Sequence, residues 1–302
     1  MVGSRGSPLA LRQTEIATSL LEEKGAETEL VIVKTRGDHV LDLPLHRVSG
    51  RGLFVREIDD LMLAGKIDVA VHSMKDLPSK RPGSLVIAAV LRRDSPFDVL
   101  VSEDGAALEE LEEGAVVGTC SMRRAAQLRK ARPDLVIESL RGNLETRLRK
   151  LKEGNYRAIV LAEAGMERMG YHPQYSILNP EKFVPSANQG AIAVVARRGE
   201  IEEKVREIDH LPTRLEAECE RVILEAIGGS CVVPMAAFAR LDGDELRVIA
   251  EVLSLDGSRS VRVEGRVSAE DHIRGAKELS QRLVDEGGRD LAEEAVREVG
   301  KV

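Results

Sequence analysis

Short apolar runs recur along the first two-thirds of the chain, each closed by polar or basic residues and separated from the next by a helical pattern. Met1 to Ser4, Leu30 to Val33, Ile67 to Val71 and Leu85 to Val90 read as strands of a first series. Asp98 to Val101, Ala115 to Gly118, Leu135 to Glu138 and Ala158 to Leu161 read as a second series, and Ala191 to Ala196 as one more strand. Helix patterns lie between them: one opened by Ser7-Pro8, an N-cap followed by proline at the first helical position, and others over 54–64, 105–113, 122–131, 143–153, 164–169 and 200–208. Strands alternating with helices imply α/β layers around largely parallel sheets. Residues 35 to 52 show no period and predict a long loop, of the kind that is functional or mobile inside compact domains.

The last ninety or so residues follow a different pattern. Thr213-x-x-Glu216 predicts a capping box at the start of a helix over 213–227. Asp242-Gly243 and Asp256-Gly257 are hairpin signals, and two charged helices close the chain. The predicted architecture is two α/β domains with mixed, mainly parallel sheets, plus a small α+β C-terminal domain. Boundaries fall at 1–93 with 190–210, at 94–189, and at 211–302.

A chain of 302 residues is too long for one ordinary core. The longest apolar run, Leu85 to Leu91, is far too short to span a bilayer, and MVGSRGSPLA contains no apolar signal region, so a cytoplasmic protein without membrane partners is expected. Three cysteines make no disulfide framework. A net charge of -7, 2% aromatic residues and no Trp argue against nucleic-acid binding, including RNA binding through the basic loops. Scattered histidines and the lack of a Cys-x-x-Cys predict no metal site. His72-Ser73 hints at a hydrolase, but no Gly-x-Ser-x-Gly elbow accompanies it.

Of the 44 basic residues, 32 are Arg, whose planar fork grips carboxylates and phosphates in a way that Lys cannot. Compositional bias or surface ion pairing would explain an average Arg. Position argues for more. Arg5, Lys75, Arg123, Arg124, Arg141, Arg147 and Arg168 all follow predicted strands. Ligands of open α/β sheets lie outside the carboxyl ends of the strands, where helix N-termini also attract anions. A ligand carrying several negative groups, lying between the two α/β units, is therefore expected. Asp76 is the sole carboxylate of its segment, AVHSMKDLP. It reads either as a turn residue or as a group that holds a substrate cation or moves a proton. Cys219 lies on the apolar side of its helix and predicts a core thiol. Cys231, between Gly228-Gly229 and Pro234, is open to a buried structural reading and to a reactive one.

SRGSPLALRQ (4–13), KTRGD (34–38), GRGLFVREID (50–59), DVAVHSMKDLP (68–78), GTCSMRR (118–124), RPDLVIESLRGNLETRL (132–148), NQGAIAV (188–194) and the Cys-x-x-Pro at 231–234 together resemble the porphobilinogen deaminase (hydroxymethylbilane synthase) family, over nearly the whole chain. The resemblance implies a transferase of tetrapyrrole (haem-type) biosynthesis. It would join four porphobilinogen molecules head to tail with release of ammonia and yield the linear hydroxymethylbilane. Each pyrrole carries an acetate and a propionate, so the growing chain is a polyanion whose carboxylates would be costly to bury unpaired. The resemblance makes Asp76 the catalytic aspartate, contacting pyrrole N–H groups and stabilising the azafulvenium cation formed as ammonia leaves. It makes Cys231 the thioether anchor of a covalent dipyrromethane cofactor, and Ser73, Lys75, Thr119, Ser121, Arg123, Arg124, Arg141 and Gly190 that cofactor's contacts. Arg5, Ser7, Gln13, Arg147, Arg168 and Gln189 become substrate contacts, and Arg47, Arg51 and Phe54 part of a mobile loop over the site. It further implies two domains like those of periplasmic binding proteins, with the cofactor cysteine on the small third domain, and a monomer is expected.

Ser230 interrupts the family's usual Gly-Gly-Cys, Arg47 and Arg51 stand where Lys is usual, and Cys120 stands where Ser is usual. An alternative from another class is a non-catalytic binding protein for a polyanionic small ligand, since two Arg-rich α/β lobes would suit it equally.

Overall fold

The N-terminal strand organises the first sheet. The computed structural model describes residues 1–35, 55–78, 81–228 and 232–300. In it β1 (Val2–Arg5) is followed by α1 (Pro8–Glu23), β2 (Leu30–Val33), α2 (Arg56–Leu63), β3 (Val69–Ser73) and β4 (Leu85–Val90). The second sheet then takes β5 (Asp98–Ser102), β6 (Val116–Gly118), α3 (Met122–Ala131), β7 (Val136–Glu138), α4 (Leu144–Lys152), β8 (Ala158–Ala162), α5 (Glu163–Arg168) and β9 (Tyr175–Ile177). The chain returns to the first sheet with β10 (Ile192–Arg197) and α6 (Glu200–Arg206). The C-terminal part comprises α7 (Leu211–Ile227), β11 (Met235–Asp242), β12 (Glu245–Leu253), β13 (Ser260–Ser268), α8 (His272–Asp285) and α9 (Gly288–Val299).

Both five-stranded sheets share one pattern. The first has the order β2-β1-β3-β10-β4 and the second β7-β6-β8-β5-β9. β1 is parallel to β2 and β3, and β6 to β7 and β8. β10 is antiparallel to both its neighbours, as is β5. Four strands of each sheet thus point one way, and the fifth enters reversed. Each reversed strand is the first element after the chain crosses from the other sheet, so it arrives without the crossover helix that keeps successive strands parallel. Its start therefore lies at the edge where its neighbours end: Ile192 pairs with Ser73, and Asp98 with Ala162. The C-terminal part is a β11-β12-β13 meander packed with α8 and α9. Its first turn is the expected two-residue hairpin, with Gly243 at φ 64.

The chain divides into two compact units, Met1–Ser95 with Arg168–Gly170 and Gln189–Leu215, and Pro96–Glu167 with Tyr171–Asn188 and Glu216–Val302. In the first, Ala17 and Leu21 of α1 pack on Val2, Val69 and Val71 of the sheet. In the second, Leu100, Val117 and Val160 meet Leu128 of α3, while Leu151 of α4 joins Val99, Ile159 and Leu161 on the other side. Among the described residues no helix is long and apolar enough to cross a membrane.

Three local expectations are corrected. The helix expected over 105–113 is a single 3-10 turn, Leu108–Glu110, in a segment bounded by Gly105 and Gly114, which both adopt positive φ. The Thr213 capping box does not form: α7 begins at Leu211, and His210 Nδ1 accepts the Thr213 N–H at 3.3 Å. Strand β3 runs two residues beyond Val71, so His72 and Ser73 belong to the sheet. The expected loop over 35–52 falls almost wholly outside the described residues.

Glu220 ties the C-terminal part to the segment before β10. Fully buried on α7, its carboxylate accepts from the Asn188 N–H (2.5 Å), the Asn188 Nδ2 (3.2 Å) and the Ala239 N–H (2.8 Å). Asn188 itself holds a left-handed φ of 62°. Glu220→Ala would leave these buried donors without an acceptor, at about 2–4 kcal/mol. Urea unfolding followed by circular dichroism should show that loss, and a change below about 1 kcal/mol would contradict the role.

Candidate functional site

The carboxyl edge of the first sheet gathers side chains from four segments. Ser7 caps α1 after β1, its Oγ accepting the Ala10 N–H at 3.3 Å. Gln13, one turn into α1, is buried and meets Ser73 at the end of β3 through both amide atoms, at 2.8 and 3.0 Å. After Ser73 the chain makes a 3-10 turn, Met74–Asp76, anchored by the buried Met74 and by its N–H donating to the Ala191 carbonyl (3.0 Å). The turn sends Lys75 and Asp76 outward as exposed side chains, and Lys75 Nζ donates to Gln189 Oε1 at 3.3 Å. Arg5, Ser7, Gln13, His72, Ser73 and Asp76 line one pocket, walled on its apolar side by Leu9, Val55 and Val71.

Gln189 and Gly190 are held by their backbone. Arg93 Nε donates to the Gln189 carbonyl (2.8 Å). Arg168 Nη2 (2.6 Å) and the Asp94 N–H (3.1 Å) donate to that of Gly190. Gly190 has φ +85, and a Cβ there would lie 2.6 Å from the Asp94 carbonyl oxygen, so only glycine fits. Arg168, expected as a substrate contact, is buried and pairs with Asp94 at 2.7 Å.

In the second unit the basic residues form a nested cluster. Thr119 follows β6, its Oγ1 accepting the Ser121 N–H at 3.2 Å, and Ser121 caps α3. Arg123 and Arg124 open α3 and converge on Asp98, the first residue of β5, at 2.7 and 2.6 Å. All three are buried. The remaining guanidinium donors reach main chain, Arg123 Nη1 the Val184 carbonyl (2.7 Å) and Arg124 Nη1 that of Val160 (3.0 Å). Arg141 precedes α4, with Gly142 at φ +115 and Asn143 capping the helix through the Thr146 N–H (2.8 Å). Arg147 Nε donates to the Gly142 carbonyl (2.8 Å) and its Nη2 lies 4.0 Å from Cys120 Sγ. Burial pushes the Arg147 pKa down, and the like charges of Arg124 and Arg141 add to the shift. Burial lowers Arg123 likewise, against the attraction of Asp98. Two guanidiniums on one carboxylate retain a net positive charge, and Arg141 and Arg147 add to it. Such crowding of like charge in a low dielectric is relieved by a bound anion.

Cys219 is the expected core thiol, fully buried, with its pKa pushed up to about 12 by burial. Cys120 is half-buried beside Arg147. Cys231, Arg47, Arg51 and Phe54 lie outside the described residues. Asp94 and Asp98, which hold the arginines, carried no signal in the sequence beyond their place in the polar joint and at a strand start. His72, read there only as half of a weak hydrolase hint, is a buried floor residue of the pocket. Among the described residues its Nε2 has no partner, and none of the groupings of His, Cys, Asp and Glu is arranged to hold a metal ion.

Comparison with known proteins adds to this geometry. Residues 1–205 match the family model described as "Porphobilinogen deaminase, dipyromethane cofactor binding domain", and residues 214–286 match "Porphobilinogen deaminase, C-terminal domain". A protein of Methanosarcina acetivorans named "Probable porphobilinogen deaminase" is 52% identical over 305 residues, covering 100% of this chain and 96% of the relative. A Syntrophobacter fumaroxidans protein named "Porphobilinogen deaminase" is 42% identical over 301 residues, covering 98% and 97%. Among solved structures, a Bordetella pertussis BvgS VFT2 domain covers 68% of this chain and 84% of its own at 15% identity, with a TM-score of 0.41.

The pocket floor has a consequence for stability. Burial, with repulsion from Arg81 and Arg5, pushes the His72 pKa from 6.5 down to about 3. The unfolded chain binds a proton at His72 below pH 6.5 while the folded chain stays neutral there. His72 therefore costs nothing above pH 6.5 and lowers stability as pH falls toward 3, by about 3 kcal/mol at pH 4.5. Urea titrations at pH 7 and 4.5 should show a smaller acid loss in His72→Gln than in the unaltered chain, whereas equal losses would place His72 elsewhere.

Proposed function

Because the chain belongs to the porphobilinogen deaminase family, we propose that its two strand-edge clusters divide the work of that reaction between them. The enzyme is a transferase of tetrapyrrole biosynthesis: it joins four porphobilinogen molecules with release of ammonia to give hydroxymethylbilane, and it carries a dipyrromethane cofactor. When bound, the dipyrromethane supplies the terminal pyrrole on which the chain is extended. The donor set of the second unit suits that group. Arg123 and Arg124 share one buried carboxylate, Arg147 lies near Arg124 and Arg141, Thr119 and Ser121 supply hydroxyls on the same segment, and a dipyrromethane brings several carboxylates. The convergence of Arg123 and Arg124 on the single carboxylate of Asp98 is the observation that carries this assignment.

Arg123 and Arg124 act mainly through charge, since Asp98 and main-chain carbonyls already take their donors. Arg141 and Arg147 supply the carboxylate contacts, together with Lys75 and Gly190. In the first unit Arg5, Ser7, Gln13, Arg168 and Gln189 hold incoming porphobilinogen, and Ser73 sets the amide of Gln13. Asp76, exposed on the pocket, accepts from pyrrole N–H groups and steadies the cation left when ammonia departs. Neutral His72 beneath it adds no competing positive charge to that centre. Cys231 forms the thioether, Arg47, Arg51 and Phe54 belong to the loop that the family resemblance assigns to the site, and the small domain over 211–302 carries the cofactor cysteine. The first α/β domain is assigned to 1–93 and 190–210, the second to 94–189, and the protein works as a cytoplasmic monomer without nucleic-acid or membrane partners.

Incubation with porphobilinogen should yield a linear tetrapyrrole, and the intact protein should weigh more than its sequence by two pyrrole units, a surplus absent in Cys231→Ser. A plain sequence mass together with no consumption of porphobilinogen would refute the reading. Asp76→Ala should fold normally, since the side chain is exposed, and lose roughly 10²–10⁴ in kcat. Turnover at the unaltered rate would remove Asp76 from the chemistry.

A further inference from the structure

The turn between β12 and β13 lies directly against helix α3. Gly257, at φ +74, approaches so closely that a Cβ there would lie 2.4 Å from the Ala126 carbonyl oxygen, 2.8 Å from the Lys130 nitrogen and 3.2 Å from Arg129 Cβ. Neighbouring bonds fix the approach. Arg129 Nη1 donates to the Leu255 carbonyl (2.7 Å), and Lys130 Nζ reaches Ser260 Oγ (2.9 Å) and the fully buried carboxylate of Glu251. The turn is stiff in itself. Asp256 Oδ1 accepts from Ser254 Oγ (2.5 Å) and from the Ser258 N–H (3.0 Å), and these bonds hold the Asp256 pKa down at about 2. A second contact acts at the other end of the helix. Val184 packs with Ala236 and Ile249 of the C-terminal sheet, while its carbonyl accepts from both Arg123 Nη1 (2.7 Å) and Gln127 Nε2 (3.1 Å).

We propose that the C-terminal sheet is the seat of α3, and that Gly257 is a positioning residue for Arg123, Arg124 and the Ser121 cap. The proposal rests on the function given above, in which those groups form the cofactor and carboxylate cluster. Ala126 and Lys130 are successive turns of the helix that Arg123 and Arg124 open, so a shift there moves both guanidiniums against Asp98. Displacements of about 1 Å cost on the order of 10²-fold in a positioned site. The neighbouring turn provides a control: Gly243 has a comparable φ of +64, yet an added Cβ meets nothing within 4 Å. Both glycines carry the same backbone strain on substitution, and only one touches α3.

Gly257→Ala, Gly243→Ala and the unaltered enzyme are compared in steady-state turnover of porphobilinogen, at a temperature where circular dichroism shows all three fully folded. Gly243→Ala should match the unaltered enzyme within about 2-fold, while Gly257→Ala should lower kcat/KM about 10-fold or more, chiefly through KM. A merely structural role would lower the unfolding temperature of both and leave the KM of the folded protein unchanged. Equal KM in the two variants would overturn the inference. If Gly257→Ala does not fold, Arg129→Met, which removes only the bond to Leu255, is read the same way, and an unchanged KM would overturn it. An unaltered protein that does not consume porphobilinogen refutes the function itself, a result distinct from equal KM values.

Discussion

Asp98 holds two buried arginines at the start of a strand, and the second unit is arranged around that pairing. A carboxylate this deep would be expensive alone, as would either guanidinium. Together they satisfy most of each other's demands, and main-chain carbonyls of Val160 and Val184 take further donors. Removing any one member would strand a buried charge, so the first turn of α3 is fixed to β5 with little freedom. That rigidity places the Ser121 cap and the Thr119 hydroxyl, and it holds Arg124 near Arg147.

The reversed strand in each sheet makes this possible. A purely parallel sheet presents only strand ends at its ligand edge. Here β10 and β5 also begin there, so the segments that precede them reach the same edge. Gln189 and Gly190 are brought beside Lys75 in one unit, and Asp98 beside α3 in the other. The same solution recurs in the segment linking β4 to β5. Asp94 is gripped by Arg168, and four residues on Asp98 is gripped by Arg123 and Arg124. An aspartate of this connection and the first residue of the strand it leads into therefore serve as counter-ions, each within its own unit.

Much of this was legible in the sequence. Hydrophobic runs located most strands, because burial on both faces leaves continuous apolar stretches. Ser7-Pro8 and the Asp-Gly pairs carried their own backbone chemistry, and Leu85–Val90 and Met122–Ala131 form over the expected residues. Less was legible where a long-range partner decides. β9 is three residues with Ser176 at its centre, held by pairing with β5, and no local pattern marks it. Thr213 looks like a cap by spacing, but the imidazole of His210 takes that place, leaving Glu216 to accept from the Leu241 N–H at 3.1 Å. The basic residues at the strand ends were visible as a set. That Arg123 and Arg124 are half of a buried charge network was not, because it depends on Asp98 arriving from a strand of the opposite direction.

The two clusters use burial for opposite ends. In the second unit it forces guanidiniums together and makes an anion welcome. In the first it keeps an imidazole neutral under Asp76, with Arg5 and Arg81 near enough to oppose its protonation. On the function proposed above, a cationic His72 would add one more positive charge next to a centre that itself becomes positive when ammonia leaves. A reaction that binds anions and passes through a cation needs both conditions in one protein. Assigning them to separate sheets lets each electrostatic environment be set by its own buried partners, without either weakening the other.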